Sequence, residues 1–493
     1  MNRATRLGLT AAVVGAALAA LAAARRRAPR HLLAANLLVK RSERTAELVK
    51  LSSVTGANYA RKSVSGAFAS DERKAQLQAR FELQTAEQVA EVLGNMKGAV
   101  MKLGQMASYL DGGLPAPVRE ALAQMQSDAP PMSFELAAGV IRSELGGEPD
   151  EVFASFERTP MAAASIGQVH RAVTHDGRAV AVKIQYPGVD AAIEADLDNS
   201  DLLFGAMSML FSGLDPAPIV AELRERLLEE LDYEVEATNQ QIFVDYYPGH
   251  PTISVPAVLN DLSTKRVLTT ELATGSKWSE VLGWTQAERD LAAETLYRFA
   301  FGGIYRLGAF NGDPHPGNYL FNPGGQVVFL DFGLCKIFTP AEVAQFELMV
   351  QTMVIDRDPA EVRRVWTEIG LLTDGGRLPD NLVHEYFAHF FEQVMDDRIT
   401  EITPEYASDS LRRYFDLSGP YAEVMKSVTL PGFMVVIQRI NLGLFALFGE
   451  LHAVANWRRL AEEIWPFSDG PPSTEMGERI REWEIATGHR SSP

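Results

Sequence analysis

The sequence predicts an α+β chain folded as two lobes, and three observations carry that prediction. An apolar strand–turn–strand unit over residues 162–185 contains Lys183 near its end. A second hairpin, about residues 318–330, is flanked by Asp313 and Asn318, five apart, and by Asp331, thirteen residues beyond Asn318. Most of the remaining chain reads as helix, from the spacing of its apolar residues and its caps. Phosphoryl transfer needs parts of this kind. One carboxylate orients the attacking hydroxyl or water, while an Asn and a second Asp hold the metal ions that bridge nucleotide phosphates. Asp313-Pro314-His315-Pro316-Gly317-Asn318, then a hairpin, then Asp331-Phe332-Gly333 presents them in that order.

The bulk numbers are those of a globular protein: of 493 residues, 46% are hydrophobic and 22% charged. The single cysteine, Cys335, excludes an intramolecular disulfide framework and any Cys-rich metal site, and reads as a packing residue. Charge is uneven. Residues 1–62 carry twelve Lys or Arg and only Glu43 and Glu47, about +10, which leaves about −28 for the rest of a chain whose net charge is −18. An acidic body with a basic arm argues against a nucleic-acid partner, and the arm suits an anionic membrane surface.

Taken in order, Leu7 to Ala24 is an eighteen-residue run without a charge, nine of them Ala, flanked by Arg3, Arg6 and Arg25-Arg26-Arg27. As a helix it is roughly 27 Å long, just enough to cross a bilayer core. An anchor, a surface helix, a signal peptide and a soluble helix all remain open, though the arginines that follow oppose translocation. Residues 31–80 read as basic helix. A capping box at Thr85 and Gln88 opens a helix carrying Lys102-Leu103-Gly104-Gln105. Another helix runs from about Ser133 to Leu145.

Ala162-Ala163-Ala164-Ser165 then leads into a strand, a His175-Asp176-Gly177 turn, and the strand Val180-Ala181-Val182-Lys183. Residues 190–245 read as acidic helix, where Glu230, Asp232 and Glu236 are all candidate partners for a cleft lysine. Val267 to Ala273, with Glu271, reads as a buried strand running into a linker where an adenine edge would meet the backbone. Thr285 and Glu288 cap the helix that precedes the Asp313 loop. Thr339-Pro340-Ala341-Glu342 opens the next one. The stretch from Leu430 to Leu451 is interrupted by Arg439, Asn441 and Glu450 and reads as buried helix rather than a membrane span. The last 25 or so residues read as a loose tail. Neither a G-x-x-x-x-G-K-[ST] string nor a G-x-G-x-x-G fingerprint is present.

On these motifs the chain resembles the UbiB/AarF-like (ubiquinone-biosynthesis-type) atypical kinase family over roughly residues 85–465. The resemblance implies a two-lobed protein-kinase-like fold with a family-specific N-terminal helical extension and a mostly helical C-lobe. The implied divisions are a basic arm (1–80), the K-x-G-Q extension (81–160), an N-lobe with a helical insertion (161–275), a C-lobe (276–467) and a tail (468–493). It implies ATP and Mg²⁺ as cofactors, with Asp313 and Lys183 catalytic and Asn318 and Asp331 on the metal. Ala162, Ala163, Ala164 and Ser165 stand in for the usual Gly-rich loop. Glu236 pairs with Lys183, and Glu271 marks the adenine edge. Lys102 and Gln105 enter the cleft with Glu230 and Asp232 as partners, although spacing alone leaves the carboxylate pairing open. Asn311-Gly312 departs from the His-Ala that the family often has, at a place expected not to touch the metal ligands. His315 is expected to shape the loop rather than react. The implied role is an ATP-dependent kinase or ATPase supporting isoprenoid quinone synthesis or lipid homeostasis at the cytoplasmic side of a membrane. It acts on a small molecule or a lipid or quinone precursor and not on proteins. The alternative is a nucleotide-gated regulator with little turnover.

Overall fold

The computed structural model describes residues 132–164, 166–190, 230–312, 314–373, 376–415, 419–429 and 432–489. The run 7–24, the rest of the basic arm, Lys102, Gln105, Ser165 and Asp313 lie outside these residues.

The first lobe is a five-stranded antiparallel sheet. Its strands are β1 (Ser155–Phe156), β2 (Ala162–Ala164), β3 (Gly167–Val173), β4 (Ala179–Gln185) and, further along the chain, β6 (Val267–Glu271). β3 is the hub, pairing with β1, β2 and β4, and β4 pairs in turn with β6. Alternation along β4 sends Val180, Val182 and Ile184, all fully buried, to one face. There they meet Ala137, Val140 and Ile141 of helix α1 (Phe134–Leu145), whose N-cap is Ser133 as the sequence predicts. A short helix α2 (Pro149–Val152) leads from α1 into the sheet. Gly167 is dictated by close approach, since a Cβ there would stand 2.2 Å from the Ile184 carbonyl oxygen.

Helix α3 (Tyr233–Tyr246) covers the first lobe on the cleft side and continues into the second lobe through Phe243. That second lobe is built on the 22-residue helix α5 (Gln286–Leu307), reached through the short α4 (Trp278–Val281). Thr285 caps α5 by accepting from the Glu288 N–H, and Gly308, at φ 59°, ends it in the left-handed region. Around α5 lie β5 (Ile253–Ser254), β8 (Tyr319–Asn322) and β9 (Gln326–Phe329) as one small sheet, and β7 (Ala309–Asn311) with β10 (Cys335–Ile337) as another. The α+β, two-lobed expectation is borne out. Cys335 packs against the large core of this lobe, as a packing residue would.

Helices α6 (Pro340–Val350), α7 (Pro359–Glu368), α8 (Asp380–Ala388), α9 (Pro404–Phe415), α10 (Gly432–Leu451) and α11 (Trp457–Ile464) complete the second lobe. The Thr339–Glu342 capping box forms as read. Leu444, Leu447, Phe448 and Leu451 of α10 are buried in the core, and among the described residues no helix is long and apolar enough to cross a membrane. One expectation fails. The supposed loose tail contains helix α12 (Glu475–Ala486), docked by a Trp483 Nε1–H bond of 3.0 Å to the Pro248 carbonyl and by burial of Met476 and Trp483. Proline and charge suggest a tail, but the apolar residues of α12 form one buried stripe.

Candidate active site

The cleft side of β4 carries Lys183, because its neighbours Val182 and Ile184 take the other face. Its ammonium donates to both oxygens of Glu236, at 2.8 and 2.9 Å, and to Oδ2 of Asp331 at 3.1 Å. Three distant pieces of chain, 53 and 148 residues from Lys183, thus meet at one nitrogen. Spacing leaves Glu230, Asp232 and Glu236 open as partners of Lys183, and the geometry selects Glu236. Asp232 instead caps α3, its Oδ1 accepting from the Glu234 N–H at 3.0 Å. Glu230 sits just before that cap, half-buried.

Helix α3 is held in place along one face. Glu236, Asn239, Gln240 and Phe243 recur at i, i+3, i+4 and i+7. Asn239 donates to the Phe332 carbonyl at 3.1 Å, Gln240 to the Pro256 carbonyl at 2.6 Å, and the Phe243 ring lies 5.0 Å from the Phe332 ring. The start of the helix is tied to the sheet by the Gln185 amide on the Leu231 carbonyl, 2.9 Å. Phe332 is fully buried, so the segment Asp331-Phe332-Gly333 is anchored by its middle residue while Asp331 faces the cleft.

Asn318 and Asp331 are brought together by the β8–β9 hairpin, whose register carries the Leu330 N–H to the Asn318 carbonyl at 3.0 Å. His315 shapes the approach. Its Nδ1 accepts from the Gly317 N–H at 3.0 Å, the loop-building role the sequence suggests. The alanines expected to replace the Gly-rich loop form β2, paired with β3 as Ala162↔Val169, Ala163↔Gln168 and Ala164↔Gly167. Glu271 ends β6 with its side chain exposed and its N–H bonded to the Ala257 carbonyl at 2.9 Å. The linker beyond it is fixed to the second lobe by paired backbone bonds between Ser276 and Phe321, 2.8 and 2.9 Å.

Sequence reasoning missed Asn311. Its side-chain amide donates to the Asp331 carbonyl at 2.7 Å, so this position does touch a candidate metal ligand, through the backbone. The pairing of β7 with β10 places it there, a contact that only tertiary structure reveals.

Among the described residues one ammonium faces two carboxylates, with Lys183, Glu236 and Asp331 side chains 18%, 4% and 31% exposed. Burial pushes the Glu236 carboxyl up to about 7, with the Lys183 ammonium pulling the other way and Asp331 adding to the rise. Burial opposes the charge on Lys183, yet Asp331 and Glu236 hold it well above the ordinary lysine value. Burial also keeps the Tyr233 phenol, whose ring centroid lies 5.0 Å from the ammonium, above its ordinary range and neutral. A divalent cation fits the partly exposed edge of the Asp331 carboxylate. The Asp331 carboxylate accepts from the Gly333 N–H at 3.1 Å and from Lys183, and two carboxylate oxygens offer about four lone-pair sites. Among the described residues no cluster of three His, Cys, Asp or Glu forms a metal cage by itself. Mg²⁺ commonly takes only one or two carboxylates and completes its shell with phosphate oxygens and water.

Two lobes, a strand lysine paired to a helical glutamate, and a buried Phe beside a metal-type Asp define the protein-kinase-like class. The ABC1 atypical kinase-like domain matches residues 124–366. A solved structure of the complex of Rv3197 with erythromycin, from Mycobacterium tuberculosis, is 31% identical, with a TM-score of 0.58 over 81% of this chain and 100% of that one. The chain belongs to the ABC1 atypical kinase-like family. Among curated relatives, "Atypical kinase COQ8B, mitochondrial" of Rattus norvegicus is 35% identical over 51% of this chain and 48% of its own length. "Atypical kinase COQ8, mitochondrial" of Saccharomyces cerevisiae is 30% identical over 58% of each. The chain spans about half the length of the curated relatives it matches.

Proposed function

We propose that this protein is an ATP-dependent atypical kinase or ATPase that uses Mg²⁺ and supports isoprenoid quinone synthesis or lipid homeostasis beside a membrane. The observation that carries this reading is Lys183 bridging Glu236 and Asp331, because kinase-type phosphoryl-transfer sites require the strand lysine, its helical glutamate and the metal-binding aspartate in register. In the proposed roles, Lys183 holds nucleotide phosphates, Glu236 fixes the lysine, and Asn318 and Asp331 hold the metal. Asp313 orients the hydroxyl or water that attacks. Bound Mg²⁺ would supply charge neutralisation on the phosphates. The alanines 162–164 and Ser165 would cover the phosphates, with Glu271 at the adenine edge. Lys102 and Gln105 would reach the cleft beside Glu230 and Asp232.

The names of the COQ8 relatives support the quinone pathway, and the basic arm supports an anionic cytoplasmic-side membrane surface. A membrane-crossing helix at 7–24 is no part of this proposal, since that run lies outside the described residues. Protein substrates are disfavoured because only residues 332–338 separate Asp331 from the Thr339 helix cap, leaving little chain for a peptide platform. The alternative, a ligand-holding regulator with little turnover, draws support from the erythromycin complex of the mycobacterial relative.

Replacing Asp331 with Asn tests the site. The free protein should keep its melting temperature, since the change removes excess negative charge, while stabilisation by Mg-ATP should disappear. Undiminished Mg-ATP stabilisation in that variant sinks the metal assignment. A quinone and lipid profile with and without the protein tests the pathway.

A further inference from the structure

We propose that the second lobe holds a ligand site of its own, a cavity at the far end of α3 from Glu236 that takes a small planar organic acid. The inference does not rest on the reading of the cleft. Tyr246, in the cavity wall, follows Glu236 by ten residues, about 15 Å along the helix.

The cavity measures about 590 Å³, its open mouth included, and lies between the end of α3, α5, the end of α11 and α12. The rings of Tyr246 and Trp483, 5.8 Å apart and edge to face, give it flat walls, with Ile464 and Ile480 beside them. Arg298, Gly302 and Arg306 line it from α5 at four-residue spacing, as one stripe of the helix.

Gly302 is the telling residue. It is buried inside a 22-residue helix, where glycine is the least favourable residue after proline. The adjacent Gly303 is explained by close approach, since a Cβ there would stand 2.7 Å from the Ala309 carbonyl oxygen. At Gly302 a Cβ would meet nothing within 4 Å. Packing does not demand this glycine, and protein interiors normally fill such space. Room kept for a ligand accounts for both facts.

The polar groups of the wall select the ligand. Arg298 is engaged by Glu294 and Glu463. Arg306 stands 3.3 Å from Glu484 through its Nε. Arg481 donates from one terminal nitrogen to the Gly470 carbonyl at 3.3 Å and pairs with no carboxylate among the described residues. A guanidinium carries five N–H donors in a fork that suits carboxylate and phosphate, so Arg306 and Arg481 keep donors for an anion. His250 adds a neutral one. Its Nδ1 accepts from the Thr252 and Ile253 N–H groups at 3.2 and 2.9 Å, which leaves the ring proton on Nε2. Burial, reinforced by Arg298 and Arg479, pushes this imidazole down to about 3, so it stays neutral. The carboxylates of the wall, Glu463 and Glu484, already face arginines. An anionic oxygen group on a flat apolar body, as a carboxylate or a phosphate monoester, matches this wall.

Calorimetric titrations of the full-length protein with 2-naphthoate, 2-naphthyl phosphate, the neutral 2-naphthamide and inorganic phosphate test the site. One molecule of either naphthyl acid should bind, about ten-fold or more tighter than the amide or inorganic phosphate, and Mg-ATP should not compete with it. Gly302→Leu fills the cavity. It should abolish this binding and melt at the same or a higher temperature, because Leu is the better helix former. Arg481→Gln leaves the paired arginines in place and should weaken both acids about ten-fold without changing the amide. Absence of binding by both acids at millimolar concentration overturns the inference. So does equal affinity for the amide or for inorganic phosphate, displacement of the acids by Mg-ATP, which would put them in the cleft, or undiminished acid binding in Gly302→Leu. If Gly302→Leu does not fold, Arg481→Gln decides, and full affinity for both acids in that variant overturns the inference.

Discussion

Two buried clusters in this molecule share one stoichiometry and behave as opposites. In the cleft, Lys183 faces Glu236 and Asp331. In the second lobe, Arg298 faces Glu294 and Glu463, each at 2.7 Å, with side chains only 6% to 9% exposed. The difference lies in exposure: the Asp331 side chain is 31% exposed, whereas Glu294 and Glu463 are each 9% exposed and held by neutral donors as well. Thr474 Oγ1 donates to Glu294 at 2.7 Å, and both the N–H and the hydroxyl of Ser473 donate to Glu463, at 2.7 and 2.6 Å. The excess charge of that cluster is spread over a closed shell of donors, and the cluster works as a brace. The Lys183 cluster opens to solvent at Asp331, where a cation can approach its second negative charge. One cation between two carboxylates is therefore structural or functional according to what surrounds the carboxylates, not according to the ions themselves.

The largest expected effect breaks the brace. Arg298→Met leaves Glu294 and Glu463 buried without their cation, which costs about 3–5 kcal/mol. Urea unfolding should show that loss, while the fraction still folded should bind Mg-ATP as before. A loss below about 1 kcal/mol would mean that Ser473 and Thr474 suffice alone and that the guanidinium is dispensable, and the contrast would lapse.

That brace also shows where the sequence is hard to read. Ser473 and Thr474 follow Pro471-Pro472, a composition that reads as a tail. The signal is nonetheless present: Thr474 as an N-cap, then Met476, Ile480 and Trp483 at helical spacing, the stripe that docks α12. One short apolar stripe among charges means little until a partner surface is known. The cleft is more legible. Asp331 and Asn318 sit either side of a short hairpin, where distance in sequence nearly equals distance in space, and alternation places Lys183 opposite the buried valines. Glu236 needs the structure, since the candidates Glu230, Asp232 and Glu236 are equivalent by spacing and only the orientation of α3 separates them.

A smaller effect sharpens the same contrast through pH. With its carboxyl raised from about 4.5 to about 7 by burial, Glu236 binds a proton more tightly in the folded protein than in the unfolded chain. The sign follows from linkage. The contribution is fully present below about pH 4.5 and is lost as pH rises through 7. Metal-free, nucleotide-free protein should therefore lose stability over this window, by about 3 kcal/mol. Glu236→Gln should flatten this part of the profile while the Arg298 brace stays unchanged. An identical profile in the Gln variant would show that Lys183 fully compensates Glu236 and that the cleft carries no unmet charge.

The smallest effect concerns how the backbone of Asp331 is kept in place at the edge of the cleft cluster. Under the proposed metal role the carboxylate has to face the metal, and the backbone beside it is held by the 2.7 Å bond from the Asn311 amide to the Asp331 carbonyl. The neighbouring Gly312 belongs to the same arrangement. Its N–H bonds the Leu334 carbonyl at 2.6 Å, and a Cβ there would stand 2.9 Å from that oxygen and 3.2 Å from the Leu334 side chain. Asn311→Ala removes one neutral hydrogen bond, about 1 kcal/mol of stability. Its more telling effect is on the metal. With the carbonyl released, Asp331 samples more orientations, and the Mg²⁺ concentration needed for half-maximal ATP stabilisation should rise a few-fold. Asn311→His, which keeps an N–H donor at this position, should restore most of that loss if the ring reaches the same carbonyl. A purely structural contact would lower the melting temperature without moving the Mg²⁺ titration. Unchanged Mg²⁺ dependence in the Ala variant would therefore show that the hairpin alone fixes Asp331.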